Sequence, residues 1–201
     1  MTTEPQQRIC VFRHGATQWS IEGKHTGMTD LSLTEKGRRN AERLGLFLRG
    51  HTFARVMTSP LQRARETCRL AGLSDAAEVV NDLVEWNYGD YEGLTSVEIQ
   101  RTRPGWTVFN DGCPNGEMPV DVGRRVDRVI EMVRGIHGDV ALFAHGHVLC
   151  VLAARWLGLQ PGDGCLYVLD TSTVNILGYS HGVPALVVWN APLDLKDLIT
   201  D

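Results

Sequence analysis

Short apolar runs, each leading into a helical pattern, leave this chain few ways to fold. Residues 8–12 (Arg-Ile-Cys-Val-Phe), 55–57 (Arg-Val-Met) and 140–144 (Val-Ala-Leu-Phe-Ala) read as short buried strands, and residues 166–169, 174–177 and 185–189 as further strands. The helices between them carry end signals. Thr34 caps a helix running to about Arg49, with Gly50 as its stop. Ser59-Pro60 places a capping oxygen and a first-turn proline ahead of a helix that Gly72 closes. From about Val120 to His137, Val122, Val126, Val129, Ile130, Val133 and Ile136 recur at helical spacing before Gly138. A last helix follows His147 and ends near Gly158. Strands alternating with helices predict an α/β fold, a three-layer α/β/α sandwich with a mostly parallel central sheet. At 201 residues, one domain over residues 1–201 is expected.

In such folds ligands bind beyond the carboxyl ends of the strands. The first strand runs into Arg13-His14-Gly15, the 140–144 strand into His145-Gly146-His147, and the 55–57 strand through Ser59-Pro60 into a helix bearing Arg63. Arg13, His14, Arg63 and His145 are therefore expected at one sheet edge. That set suits phosphoryl transfer. A neutral imidazole is a nucleophile near pH 7 without an external base. Two guanidiniums are planar, permanently charged forks for phosphate oxygens, and a second histidine, if protonated, adds a third positive donor. Helix-start N–H groups add partial positive charge, and Gly15 and Gly146 are expected to leave room for the oxygens. The leaving alkoxide needs a proton. Glu85 is the first candidate, with apolar and aromatic neighbours that would raise its pKa, and Asp82, Asp90 and Glu92 are rivals.

Composition narrows the partners. A net charge of −4 argues against nucleic acid, whose backbone needs a broad basic face. No apolar run approaches the roughly 20 residues that cross a bilayer, and the first ten residues lack the pattern of a secretory signal. A cytoplasmic protein with a small-molecule phosphate ester as partner, no nucleic acid, no membrane and room for a homo-oligomer is the expectation. Five cysteines without a CxxC pair indicate neither a disulfide framework nor a zinc ribbon. No cofactor and no metal is expected: no acidic residue follows His145-Gly146-His147 to complete a ligand set.

With these motifs in order, the chain resembles the histidine phosphatases, the phosphoglycerate-mutase-like superfamily, from Arg8 to about Trp189. The resemblance implies that fold and a catalytic set. Arg13-His14-Gly15 supplies the phosphorylated histidine and one arginine, and the pattern from Ser59 to Thr67 supplies Arg63. Glu85 is the proton donor, and His145 the second histidine. Thr17 matches a side chain that bonds the phosphate, and Thr26-Gly27 a loop at the substrate entrance; Tyr88, Gly146 and His147 complete the expected substrate contacts. Several segments are similar to a branch of sedoheptulose-1,7-bisphosphatase-type sugar phosphatases and broad-specificity acid phosphatases, so a sugar phosphate or bisphosphate is the expected substrate. Cys150 stands where related chains often carry arginine. The alternatives are a mutase-type isomerase, against which the short chain and Ser20 argue, and a non-catalytic phospho-ligand module.

Other polar residues have plainer readings. Arg65, Arg69, Arg124, Arg125 and Arg128 read as solvated helix charges, and His51, His137 and His181 as surface or loop residues. Trp86 and Tyr88 read equally as packing or substrate wall, and His25 as a neighbour of the entrance.

Overall fold

The computed structural model describes residues 7–193. Strands β1 (Ile9–Arg13), β2 (Arg55–Thr58), β3 (Ala77–Val79) and β4 (Val140–Ala144) run parallel in the order β3-β2-β4-β1. Beyond β1 the sheet continues antiparallel through β5 (Val174–Ser180) and β6 (Val183–Ala191). It is therefore a mixed sheet whose parallel half carries the predicted site residues.

Alternation along the strands makes the three layers. Ile9 and Val11 of β1 and Leu142 of β4 pack with Val122, Val126 and Val129 of α6 (Pro119–Arg134) and Val148 and Leu152 of α7 (Gly146–Trp156). Cys10, Phe12 and Phe143 point the other way, onto Leu44 of α2 (Glu35–Phe47) and Cys68 of α3 (Gln62–Leu70). β1 and β4 are covered on both faces, which is why they read as unbroken apolar runs. Phe12 and Phe143, paired in register, bring their rings to 5.0 Å, worth about 1 kcal/mol beyond burial. The antiparallel half has a local cause. His181 and Gly182, with φ of 51° and 81°, form a two-residue turn between Ser180 and Val183, a geometry that returns the chain antiparallel.

Helix ends match the expected signals at Thr34, whose hydroxyl accepts from the Gly37 N–H, and at Gly50, Gly72 and Gly158, all three glycines at positive φ, whereas α6 stops at Arg134 with Gly135 as its cap, short of the expected Gly138. The short helices α1 (Gln18–Ile21), α4 (Ser96–Thr102) and α5 (Val108–Asp111) and the edge strand β3 carry too little periodicity to have been read.

Three expectations are corrected. Residues 166–169 are not a strand, because their carbonyls are taken by side chains: Leu169 by Arg13, Val168 by the Trp189 indole, and Tyr167 by the Cys150 thiol. Ser59 does not cap α3. Its own N–H still follows β2, donating to Phe143 O, and the helix begins at Gln62, whose N–H donates to Asp30 Oδ1 at 2.8 Å. A cap 32 residues upstream has no local signature. Arg125 is not solvated: it is buried, pairs with Glu117 and donates to the carbonyls of Asp82 and Val84.

Candidate active site

Because β1 and β4 are neighbours, their exits leave the sheet side by side, and the His14 N–H donates to Ala144 O at 3.0 Å. The two imidazoles stand 5.2 Å apart, both buried. Their hydrogen-bond partners fix both tautomers. His14 Nδ1 lies 2.7 Å from Gly15 O, an acceptor only, so Nδ1 carries the proton and Nε2 the lone pair. Burial first, and then the charges of Arg13 and Arg63, hold His14 neutral well below the usual histidine range.

His145 has the opposite tautomer. Arg63 Nε, a donor only, lies 3.0 Å from His145 Nδ1, so the ring's proton sits on Nε2, 2.8 Å from Ser59 Oγ. The condition for a third positive donor, a protonated second histidine, is therefore not met. Burial and the adjacent Arg63 drive the His145 pKa well below 6.5. Arg63 is itself buried and largely engaged, donating through Nη1 to Thr29 O and through Nη2 to Thr26 O and Gly27 O. It ties the 26–29 loop to the core behind the histidines.

Arg13 differs. One of its terminal nitrogens reaches Leu169 O, but its buried Nε has no partner. A buried guanidinium N–H without an acceptor costs free energy until an anion arrives to accept from it. Gly146 is where this guanidinium packs, since a Cβ there would lie 3.3 Å from Arg13 Cζ. Gly15 serves packing too, not the oxygens as expected: a Cβ there would lie 2.6 Å from the carbonyl oxygen of Gly37 in α2.

Glu85 sits beside the histidines but not in the apolar setting expected. Oε1 accepts from the N–H groups of Trp86 and Val148, each at 2.9 Å, and Oε2 from that of His147 at 3.1 Å. The first N–H groups of α7 thus orient this carboxylate. Its sequence rivals are engaged elsewhere: Asp82 with Arg128, Asp90 with Asn115, and Glu92 with the N–H groups of Gly27 and Thr29.

A cleft of about 290 Å³ opens onto Arg13, His14, Thr26, Glu85, Tyr88, Gly146 and His147, seven of the predicted residues. Arg63 and His145 stand behind it, and Gly27 is held off it by Arg63 and Glu92. The Thr17 hydroxyl is buried and accepts from the Ser20 N–H at the start of α1. Tyr88 and His25 are both buried and on the cleft wall, whereas Trp86 is core, with its indole on Glu117 O. The Tyr88 hydroxyl, whose pKa burial and Glu85 push well above its usual value, shares a hydrogen bond with His147 Nδ1. His25 and His147 are lowered to about 4, mainly by burial. A larger cleft of about 400 Å³ between α3 and β3 contains none of these residues, and two of its arginines, Arg38 and Arg69, share Glu66.

Several contributors were missed in the sequence. Ser59 holds His145, and Thr67 Oγ1 accepts from the Gly15 N–H at 2.9 Å. Both lie inside the Ser59–Thr67 motif, so their types were on view although their partners were not. Ser20 and Cys150, already singled out in the sequence, line the cleft too, and Gly23, Lys24, Ser96, Phe109, Tyr167 and Leu169 complete it. The latter come from loops and short elements without periodicity, and no local signal marks them.

The chain is similar to known proteins over most of its length. An acid phosphatase of Mycobacterium tuberculosis is 38% identical over 185 residues, 90% of this chain and 91% of that one. The sedoheptulose 1,7-bisphosphatase of Saccharomyces cerevisiae is 38% identical, over 83% of this chain and 73% of its own length. A solved structure of an open reading frame from Mycobacterium tuberculosis superposes with a TM-score of 0.89 at 36% identity, covering 94% of this chain and all of that one. The profile of the histidine phosphatase superfamily (branch 1) matches residues 9–192, and the chain belongs to that superfamily.

Proposed function

We propose that this chain is a phosphomonoesterase acting on a small phosphorylated metabolite of the sugar phosphate type, the whole chain serving as one catalytic domain. One observation carries the reading. His14 is a buried, neutral imidazole with Nε2 unprotonated, beside an arginine whose buried Nε lacks an acceptor. Nε2 attacks phosphorus as the ester P–O bond breaks, and the Arg13 Nε–H and the Thr17 hydroxyl hydrogen bond the phosphoryl oxygens. Glu85 gives the leaving oxygen its proton. In the second step water attacks the phosphohistidine, Glu85 takes the water's proton, and the N–P bond breaks to release phosphate. Arg63 and His145 position the pocket and add one permanent charge behind it.

Relatives named as phosphatases support hydrolysis over isomerisation. Among the described residues no helix is long and apolar enough to cross a membrane, and four of the five free cysteines are buried. Free thiols suit a reducing compartment, which supports a cytoplasmic site of action. The test is rapid acid quench during turnover of labelled sugar phosphates and glycerates, with isomerised product scored beside inorganic phosphate. Phosphate release with an acid-labile label on the wild type, and neither in His14→Ala, is expected. Turnover by His14→Ala would refute the nucleophile, dominant isomerisation would establish a mutase, and binding without turnover a non-catalytic module.

A further inference from the structure

Glu85 stands on a stretch of chain that no regular element holds. Residues 85–88 lie between the short turns at Asn81–Leu83 and Gly89–Tyr91 and belong to neither helix nor strand. The backbone groups of such a largely buried segment still need partners, and two charged residues supply them. Arg125 donates through Nη1 to Val84 O at 2.6 Å and to Asp82 O at 2.9 Å. Glu117 Oε2 accepts from the Asn87 N–H at 2.8 Å. The Glu117 backbone adds to the hold: its N–H donates to Asn87 O, and its carbonyl accepts from the Trp86 indole, each at 2.9 Å. The two side chains are joined to each other, Arg125 Nε on Glu117 Oε1 at 2.9 Å and Nη2 on Oε2 at 3.1 Å. One ion pair therefore grips the carbonyls before Glu85 and the amide after it.

Neither side chain lines the cleft, and Arg125 is buried. A buried ion pair adds little stability over well-packed apolar side chains, because both charges must leave water. What it adds here is geometry. A lysine could carry the charge, but only a planar fork reaches a carboxylate and two carbonyls at once. Glu85 needs that geometry. Its Oε1 accepts from the N–H of the next residue, Trp86, so the carboxyl turns with the backbone. Its other partners, the His147 and Val148 N–H groups, belong to α7, and Arg125 ties the segment to α6, which shares its core contacts with α7.

Resting on the phosphatase reading and its assignment of Glu85, we propose that Arg125 and Glu117 are positioning residues for the proton transfer. They hold the 84–87 backbone where the Glu85 carboxyl reaches the leaving oxygen, and later the water that attacks the phosphohistidine.

The test compares Arg125→Lys, Glu117→Gln and Glu85→Ala on hexose 6-phosphate, a poor leaving group, and on nitrophenyl phosphate, a good one. The ratio kcat/KM covers the steps up to the phosphohistidine, so the later attack of water does not enter it. On the hexose phosphate it is expected to fall on the order of 100-fold in Arg125→Lys and on the order of tenfold in Glu117→Gln, against less than about threefold on nitrophenyl phosphate. In the Glu85→Ala background either change adds less than about twofold to the loss on the hexose phosphate, because the group it positions is gone. Both single variants should also hold more acid-labile phosphohistidine than the wild type during nitrophenyl phosphate turnover, since the base for the water is displaced. Equal losses on the two esters, or losses that multiply with that of Glu85→Ala, overturn the proposal, because a merely structural role gives that pattern. Should Arg125→Lys not fold, Glu117→Gln, an isosteric change, decides by the same ratio. The layers separate cleanly. An unequal loss in Glu85→Ala but not in the other two variants sinks the positioning role alone. Equal losses in Glu85→Ala sink the acid assignment, and a wild type that hydrolyses neither ester sinks the phosphatase reading.

Discussion

Replacing Gly15 by alanine probes how the exit of β1 is seated. An added Cβ would lie 2.6 Å from Gly37 O and 3.0 Å from Gly37 C, about 0.8 Å inside the ordinary contact distance of 3.4 Å. The obstacle is backbone on both sides. Gly37 lies in the first turn of α2, which Leu44 and Leu48 anchor in the core, and the Thr34 N–H and hydroxyl both donate to Ala16 O, at 2.8 and 3.1 Å. No side chain can rotate away, so the β1 exit and α2 must part by several tenths of an ångström. Overpacking of this kind costs about 1–3 kcal/mol, roughly 2–12 °C in Tm for a chain this long. The displaced segment includes His14, and a shift approaching 1 Å at the reacting nitrogen lowers kcat on the order of 100-fold. Thermal unfolding and kcat/KM on nitrophenyl phosphate are the measurements. Gly135→Ala is the control: its φ is −79° and the nearest atom to its Cβ is 3.6 Å away, so stability holds or rises by about 0.4–1 kcal/mol. Unchanged Tm and turnover in Gly15→Ala would refute the packing argument. Full stability with lost turnover would return Gly15 to the role first read from the sequence, room for phosphate oxygens.

Thr67→Val removes the acceptor of the Gly15 N–H and the donor to Arg63 O, two buried bonds, and should cost about 2–4 kcal/mol in urea unfolding; a cost under about 0.5 kcal/mol would contradict the linkage. Glu85→Ala should slow hydrolysis of sugar phosphates far more than of nitrophenyl phosphate, whose leaving group needs no proton, and equal losses would count against the acid role. Acidification should unfold the protein through its histidines. His14, His25, His145 and His147 all titrate below the unfolded value of 6.5. Between about 6.5 and 4 the unfolded chain therefore binds protons the native one refuses, and stability falls with pH by several kcal/mol. Equal urea midpoints at pH 7 and pH 4.5 would reject this.

Much of this was legible because the chemistry-bearing residues directly follow strands that announce themselves. β1 and β4 are continuous apolar runs because both faces of the sheet are covered, so His14 and His145 were assigned to one edge before any coordinate. Glu85 was named among four carboxylates, and the structure separates it from its rivals because Asp82, Asp90 and Glu92 each have a partner from a distant segment. Arg125 was misread for a related reason. Its position on an amphipathic helix says nothing of Glu117 and the carbonyls that surround it.

Sequence alone determined the layer order, the strand ends that deliver Arg13, His14, Arg63 and His145, and the type of each reacting group, since periodicity and residue chemistry are local properties. Tertiary structure decided the protonation pattern: which nitrogen of His14 is bare, that His145 is neutral, and that Arg63 holds a loop while the Arg13 Nε waits for an anion. A proton's position depends on whether the atom about 3 Å away can only donate or only accept: for His145 that atom is on Arg63, 82 positions away, and for His14 it is Gly15 O, whose place is set by how the β1 exit packs against α2.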